Sequence, residues 1–440
     1  MGSFGCATFS DLSYDYQGLV QKRDFENASE LLDSHRQYKK NRNKLLYYLE
    51  KGTVLRNAGR YEESNVFLNK ADLAIEDFEK KILTEIAALS TNDGIRNYRA
   101  LPYEQIMVHY YKVLNYLALN KPNEAVVEAK RLDILSQKLQ SLQPKLVRKQ
   151  ASQYAFLHFI IGFAYEQNND AINAFIAYRN AVNFYLDHSL DPPKQLIQDL
   201  LHMANNAGYY GQQKRFEKKF QTEYTMMNTD QTVIFWENGL SPIKEEWSLN
   251  FTVIDNGETN TVLFTNEDFD FVIPFQTSSS DDKKNLLGLQ VFRAAFPKYT
   301  HRIPSYQKAT ITADKIYQIQ PTFDLSKMVD DYYRAVLIKK LGKTVARFAL
   351  KRILELKAQE QGELAGLGAN LIGAITEKTD TRYWQTLPST ISYSRITTNT
   401  SEISLELSSP NSSTNQIIKL PVDPKNKIVF FHSLAVEPNY

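Results

Sequence analysis

The feature that most constrains this chain is a helical pattern that recurs with small residues at matching positions. Residues 48–71 read YLEKGTVLRNAGRYEESNVFLNKA. Gly52 falls where two paired helices must approach closely, Gly59-Arg60-Tyr61 makes a turn, and Ser64, Leu68 and Ala71 return at helical spacing. Residues 154–181 repeat the register with Gly162, Tyr165, a turn at Asn169-Asp170-Ala171, then Ala174, Tyr178 and Ala181. A weaker copy has Tyr116, a turn at Asn120-Lys121-Pro122, then Ala125 and Ala129. The weakest, near the N terminus, keeps Leu19, Phe25, Ala28 and Leu32.

This register resembles the tetratricopeptide repeat, a helix–turn–helix unit of about 34 residues. Spacing between copies is irregular, with a helical run over 72–90, a turn-rich break at 91–94 and another helix over 123–139. Residues 11–225 are therefore expected to form an all-α, tetratricopeptide-like solenoid whose concave face binds a protein partner. Aromatic residues on these helices are expected in the core. The basic run 36–44 is expected to be a solvated loop between helix pairs, and 145–149 a further basic patch.

After residue 225 the period changes to short β-prone runs separated by turn signals. Strands are expected at 233–236, 247–254, 262–264, 269–275 and 309–319, with a hairpin at Asn256-Gly257 and a polar loop over 276–284. The stretch 286–296 fits helix or strand. Helix returns from Phe323 to Leu341 and again over 343–360, and strands close the chain at 390–396, 402–407, 416–420 and 427–432. Residues 226–440 thus read as an α+β domain with a mainly antiparallel sheet. The run 362–375, GELAGLGANLIGAI, is too short to span a bilayer and reads as a close helix crossing, with membrane contact the alternative.

Residues 376–388 read TEKTDTRYWQTLP, and residues 238–244 upstream read NGLSPIK. Together with Gly5-Cys6 at the start, they resemble a family of uncharacterised bacterial lipoproteins. That family has a tetratricopeptide-like half and an Asp-x-Arg-x-Trp-x-x-Leu-Pro motif before an Arg-containing strand. Asp380, Arg382, Trp384, Leu387, Pro388 and Arg395 stand on the motif positions. The resemblance implies a tail over 1–10 lipidated at Cys6 and a place at the periplasmic face of the outer membrane. No charged n-region or apolar h-region precedes Cys6, so an incidental cysteine in a cytoplasmic adaptor is the other reading. Asp380, Arg382 and Arg395 are expected to share one charge-assisted network, either a stabilising corner or a ligand site with Trp384.

The remaining chemistry is sparse. Lys plus Arg (52) nearly balance Asp plus Glu (50), a net of +2, which gives no global field for nucleic acid. One cysteine excludes an intramolecular disulfide and a multi-thiolate zinc site. The seven histidines show no metal-binding spacing on a helix. Gly342-Lys343-Thr344 imitates the end of a phosphate loop, but Leu337 replaces its first glycine. The expected function is a non-enzymatic, cofactor-free scaffold of the bacterial cell envelope that binds a protein partner through the solenoid groove, takes part in assembly of an envelope complex and leaves room for homo-oligomers. The runner-up is a peptidoglycan-associated regulator or enzyme with a site around Arg382, Trp384 and Arg395.

Overall fold

The computed structural model describes residues 9–84, 97–225, 231–267, 270–289, 291–313, 315–319, 321–360, 380–398, 400–410, 415–423 and 427–436. Cys6, the break at 91–94 and the run 362–375 lie outside the described residues.

Five helical hairpins build the N-terminal half among the described residues. They are α1 (Phe9–Gln21) with α2 (Phe25–Ser34), α3 (Lys44–Asn57) with α4 (Tyr61–Thr84), and α5 (Pro102–Ala118) with α6 (Pro122–Leu142). After the short α7 (Pro144–Lys149) come α8 (Ala151–Gln167) with α9 (Ala171–Asp187), and α10 (Lys194–Asn206) with α11 (Tyr210–Phe220). Each hairpin turns at one left-handed residue: Arg23, Gly59, Asn120, Asn169 and Gly208. The next amide then reaches back five residues, as in Arg60 N to Leu55 O (2.8 Å) and Asp170 N to Tyr165 O (2.9 Å). This bond closes a helix C terminus by satisfying an orphan carbonyl. The α10–α11 hairpin carries the same turn, at Gly208, with Ala204 of α10 fully buried.

The small residues do what the register required. A Cβ on Gly52 would lie 2.7 Å from the Leu68 side chain, and one on Gly162 2.6 Å from the Tyr178 ring. Ala71, Ala174 and Ala181 are fully buried at the same crossings. Tyr61 opens α4 and meets Phe430 at 6.3 Å, while Tyr165 is half-buried at the end of α8.

Three four-stranded sheets follow. In sheet 1, β1 (Gln231–Asn238) pairs parallel with β12 (Ile428–Ser433) and antiparallel with β9 (Thr390–Thr397), which carries β8 (Pro321–Asp324) on its far edge. Sheet 2 is antiparallel, in the order β11 (Gln416–Pro421), β10 (Glu402–Ser408), β6 (Lys308–Thr312), β7 (Ile316–Ile319). Sheet 3 is antiparallel too, in the order β4 (Phe271–Gln276), β3 (Thr261–Asn266), β2 (Ile243–Asp255), β5 (Val291–Thr300). Two helices accompany sheet 3: α12 (Ser280–Leu287) and the 36-residue α13 (Leu325–Glu360).

Several expectations are corrected here. The expected loop over 276–284 contains the start of α12, whose Ser279 side chain accepts from Asp282 N. The ambiguous stretch 286–296 divides between α12 and β5, and 309–319 folds back as the β6–β7 hairpin. The two helical stretches after Phe323 are one helix.

Strand alternation fixes how the halves meet. On β1, Val233 and Phe235 join the core of the solenoid, whereas Ile234 and Trp236 face the core shared with sheet 2. Both faces are therefore dry, and the VIFW run is continuously apolar for that reason. Phe159 of α8 stacks on Tyr393 of β9 at 3.9 Å, and Phe163 meets Phe235 at 5.5 Å. The boundary near residue 225 marks a change of secondary structure, while one hydrophobic core runs across it.

Candidate functional site

The concave face of the solenoid, lined by α1, α3, α5, α8 and α10, is where the candidate residues converge. The groove expected to receive a partner receives the chain's own residues 380–398, together with the solenoid-facing side of sheet 1. Residues 382–386 of this strap meet α1, α3 and α5, and Tyr393 and Arg395 meet α8 and α10.

Arg382 begins it. Its guanidinium forms a fork with Asp380 (2.7 and 2.8 Å), and Nη1 donates to Arg42 O (3.0 Å) and Asn43 Oδ1 (2.8 Å). The expected solvated loop at 36–44 is thus in part a docking ledge, with Asn43 buried. Burial alone would raise the Asp380 carboxyl, but Arg382 and nearby Lys244 outweigh it and hold it below its ordinary value.

Two buried carboxylates then read the strap's main chain. Trp384 N donates to Glu104 Oε1 (3.2 Å), and Gln385 N donates to Glu50 Oε1 (2.6 Å). Thr386 Oγ1 and Tyr16 OH both donate to Glu50 Oε2, at 2.7 and 3.0 Å. Burial pushes the Glu50 carboxyl up to about 7 despite these donors, and pushes Glu104 up as well. The Trp384 ring packs edge-on against Tyr111 (5.8 Å), and its Nε1 donates to Thr53 Oγ1 (2.9 Å). Trp384 therefore fills the solenoid groove.

The upstream motif braces the same strap from behind. Ser241 N donates to Leu387 O (2.8 Å), Ser389 N to Asn238 O (3.0 Å), and Lys244 Nζ to Arg382 O (3.3 Å). Gly239 has φ +62°, and a Cβ there would lie 2.6 Å from Pro304. The two motif pieces, far apart in sequence, are one structural unit. Leu387 and Pro388 are buried within it, and β9 begins at Thr390.

Arg395 is elsewhere. Its Nη1 and Nη2 donate to the two Glu166 oxygens (2.7 and 2.9 Å), and its Nε donates to Asp199 Oδ1 (3.0 Å). It thus docks on α8 and α10, and the expected network of Asp380, Arg382 and Arg395 does not form. At Glu166 burial opposes the anion, but the two-pronged contact wins and lowers its pKa; at Asp199 burial dominates and raises it. Arg382, Trp384 and Arg395 are 7, 1 and 8% exposed. Arg382 and Trp384 lie in a buried docking seam, whereas Arg395, also buried, borders an open cleft.

A cluster that the sequence did not suggest lies between Arg382 and Arg395. Glu237 of β1 meets Arg56 of α3 (3.1 Å) and His432 of β12 (2.9 Å), and Arg56 Nη1 lies 3.2 Å from His432 Nε2. Burial lowers the His432 pKa, and the Arg56 guanidinium, which can only donate, needs an acceptor at the ring Nε2. Its partners assign the proton to Nδ1, which donates to Glu237, while Nε2 accepts from Arg56. Arg56 also lies over the Tyr111 and Phe430 rings, at 4.7 and 5.2 Å.

No protein-family model matches the chain, and no curated protein matches it. Solved structures resemble it over about half its length. They include MamA 41-end from Desulfovibrio magneticus RS-1 (15% identity, TM-score 0.29, 48% of this chain and 98% of that one). Another is a Podosopora anserina putative kinesin light chain with nearly identical TPR-like repeats (12%, 0.32, 48% and 92%). The apo form of RapI gives 11%, 0.36, 48% and 53%, so the match spans about half of that protein. At these scores the solenoid is established by its own turns and crossings, not by the likeness.

Between α4, α5 and α6, the buried Asp72, His109 and Glu128 bring their ligand atoms within 4.8 Å of one another. Lys112 Nζ already sits 2.8 Å from Asp72 and 2.9 Å from Glu128, and Arg131 sits 2.7 Å from Asp72. The carboxylates a metal would need are neutralised by these cations, so the group reads as an ion-pair cluster. A cleft of about 750 Å³ opens at the end of the solenoid between α10, the end of α11 and sheets 1 and 2. Lys194, Gln198, Phe220, Gln231, Lys315 and Tyr317 line it, and Arg395 forms part of its wall. No described helix is long and apolar enough to cross a membrane.

Proposed function

We propose that this chain is a non-enzymatic protein-binding scaffold of the bacterial envelope, held at the periplasmic face of the outer membrane by a lipid on Cys6. What supports the scaffold reading is the way the groove holds residues 380–398: carboxylates on α3 and α5 accept from main-chain N–H groups, which is how an extended peptide is read independently of its side chains. The middle of the groove is committed to this internal segment. A partner would therefore engage the open cleft at the α10 end, where Lys194, Gln198 and Phe220 face solvent-accessible space. The envelope location rests on the motif and on Cys6.

A photo-crosslinking residue placed at Gln198 in cells is expected to capture a discrete partner band that disappears when Lys194→Glu is added. No band, or one indifferent to Lys194→Glu, contradicts the reading. Mass spectrometry of the native N terminus is expected to find acylated Cys6. An unmodified Met1 would move the scaffold to the cytoplasm.

A further inference from the structure

α13 carries a charge imbalance out of proportion to the molecule. Residues 339–357 hold seven basic side chains and one acidic, a net of +6, in a chain whose total is +2. The helix divides these residues cleanly. Leu341, Val345, Ala349 and Ile353 are buried against sheet 3. Lys343, Arg347, Leu350, Lys351 and Leu354, spaced i, i+4, i+7, i+8 and i+11, share the opposite face. On that face Lys339, Lys343 and Lys351 are exposed, and Leu350 and Leu354 are 54 and 67% exposed.

Two leucines one turn apart, set among lysines, are the pattern of a helix that lies in a lipid–water interface. The leucines need an apolar phase that an acidic protein surface or a polyanion does not supply. The lysines can extend past them to reach anionic headgroups. We infer that the outward face of α13 docks on an anionic lipid bilayer, with Leu350 and Leu354 entering the headgroup–acyl boundary and Lys339, Lys343 and Lys351 pairing with lipid phosphates. The contact is separate from any acyl chain on Cys6. It would lay sheet 3 against the membrane, because α13 covers that sheet.

The test is vesicle co-sedimentation of the full chain carrying Cys6→Ser, so that no acyl group contributes. Vesicles of phosphatidylcholine alone are compared with vesicles holding about 30 mol% phosphatidylglycerol. Binding is expected only to the second, weakening as salt rises above about 0.15 M. K343E/K351E should reduce it about tenfold or more, and L350S/L354S should also reduce it. All four positions are exposed or on the solvent face, so both variants should keep the melting temperature of the parent. No sedimentation with the anionic vesicles overturns the inference, as does binding that both variants retain. Binding lost in K343E/K351E but unchanged in L350S/L354S, with equal affinity for heparin, would make the face a general polyanion surface and overturn the lipid assignment.

Discussion

At the residue scale, the groove is held together by buried charge, and the sign of each contribution depends on whether a counter-charge is present. Arg56 and Glu237 have one another. Removing one member of a fully buried pair leaves the other uncompensated, at a cost of about 3–5 kcal/mol. Arg56→Ala is expected to lower the urea midpoint accordingly, and the double variant Arg56→Met/Glu237→Leu to recover part of the loss. Glu50 is held by neutral donors instead, and burial raises its pKa from 4.5 to about 7. Between those two values the folded chain binds a proton that the unfolded chain releases, so this group's contribution to stability falls as pH rises through the window. Glu50→Gln should remove that slope, which urea titrations at about pH 5 and pH 7.5 would read directly. A variant with the same slope as the parent would show that Glu50 is not the titrating group.

At the element scale, the glycines separate close contact from mere tolerance. Gly162 faces the ring of Tyr178, which is fixed by a hydrogen bond to Glu166 and by stacking on Phe159. Gly52 faces the fully buried Leu68, whose Cδ2 and Cγ would lie 2.7 and 2.8 Å from an added Cβ, and Gly342 in α13 has nothing within 4 Å. Gly162→Ala should therefore destabilise by about 1–3 kcal/mol through overpacking. Gly52→Ala should also destabilise, since an added Cβ would press on the buried Leu68, and Gly342→Ala should stabilise by up to about 1 kcal/mol through helix propensity. Thermal melts of the three variants check the order. These contrasts also show what was legible in the sequence. The crossings at Gly52 and Gly162 were readable because close approach demands a small residue at a fixed register. α12 is hidden because a short polar helix capped by Ser279 has the composition of a loop. The Asp-x-Arg-x-Trp motif is visible as a unit, but proximity in sequence points Arg395 to Asp380 and away from the partners it has in the fold. Its true ones, Glu166 and Asp199, lie roughly two hundred residues upstream on the solenoid, and no local pattern announces them.

At the scale of the whole molecule, the two halves that differ in texture share a core, and the strap with sheet 1 closes it. An isolated solenoid would expose Tyr110, Tyr111, Phe159 and Phe163, all nearly fully buried in the full chain. The helical half thus depends on the half that follows it, and the strap is a structural ligand of its own groove. Hydrogen exchange at the Trp384 and Gln385 amides tests this most directly, because those two N–H groups are the ones read by Glu104 and Glu50. Protection equal to that of the α3 and α5 amides, lost only on global unfolding, is the predicted result. Exchange as fast as that of the exposed β2–β3 turn, while α3 and α5 stay protected, would contradict it.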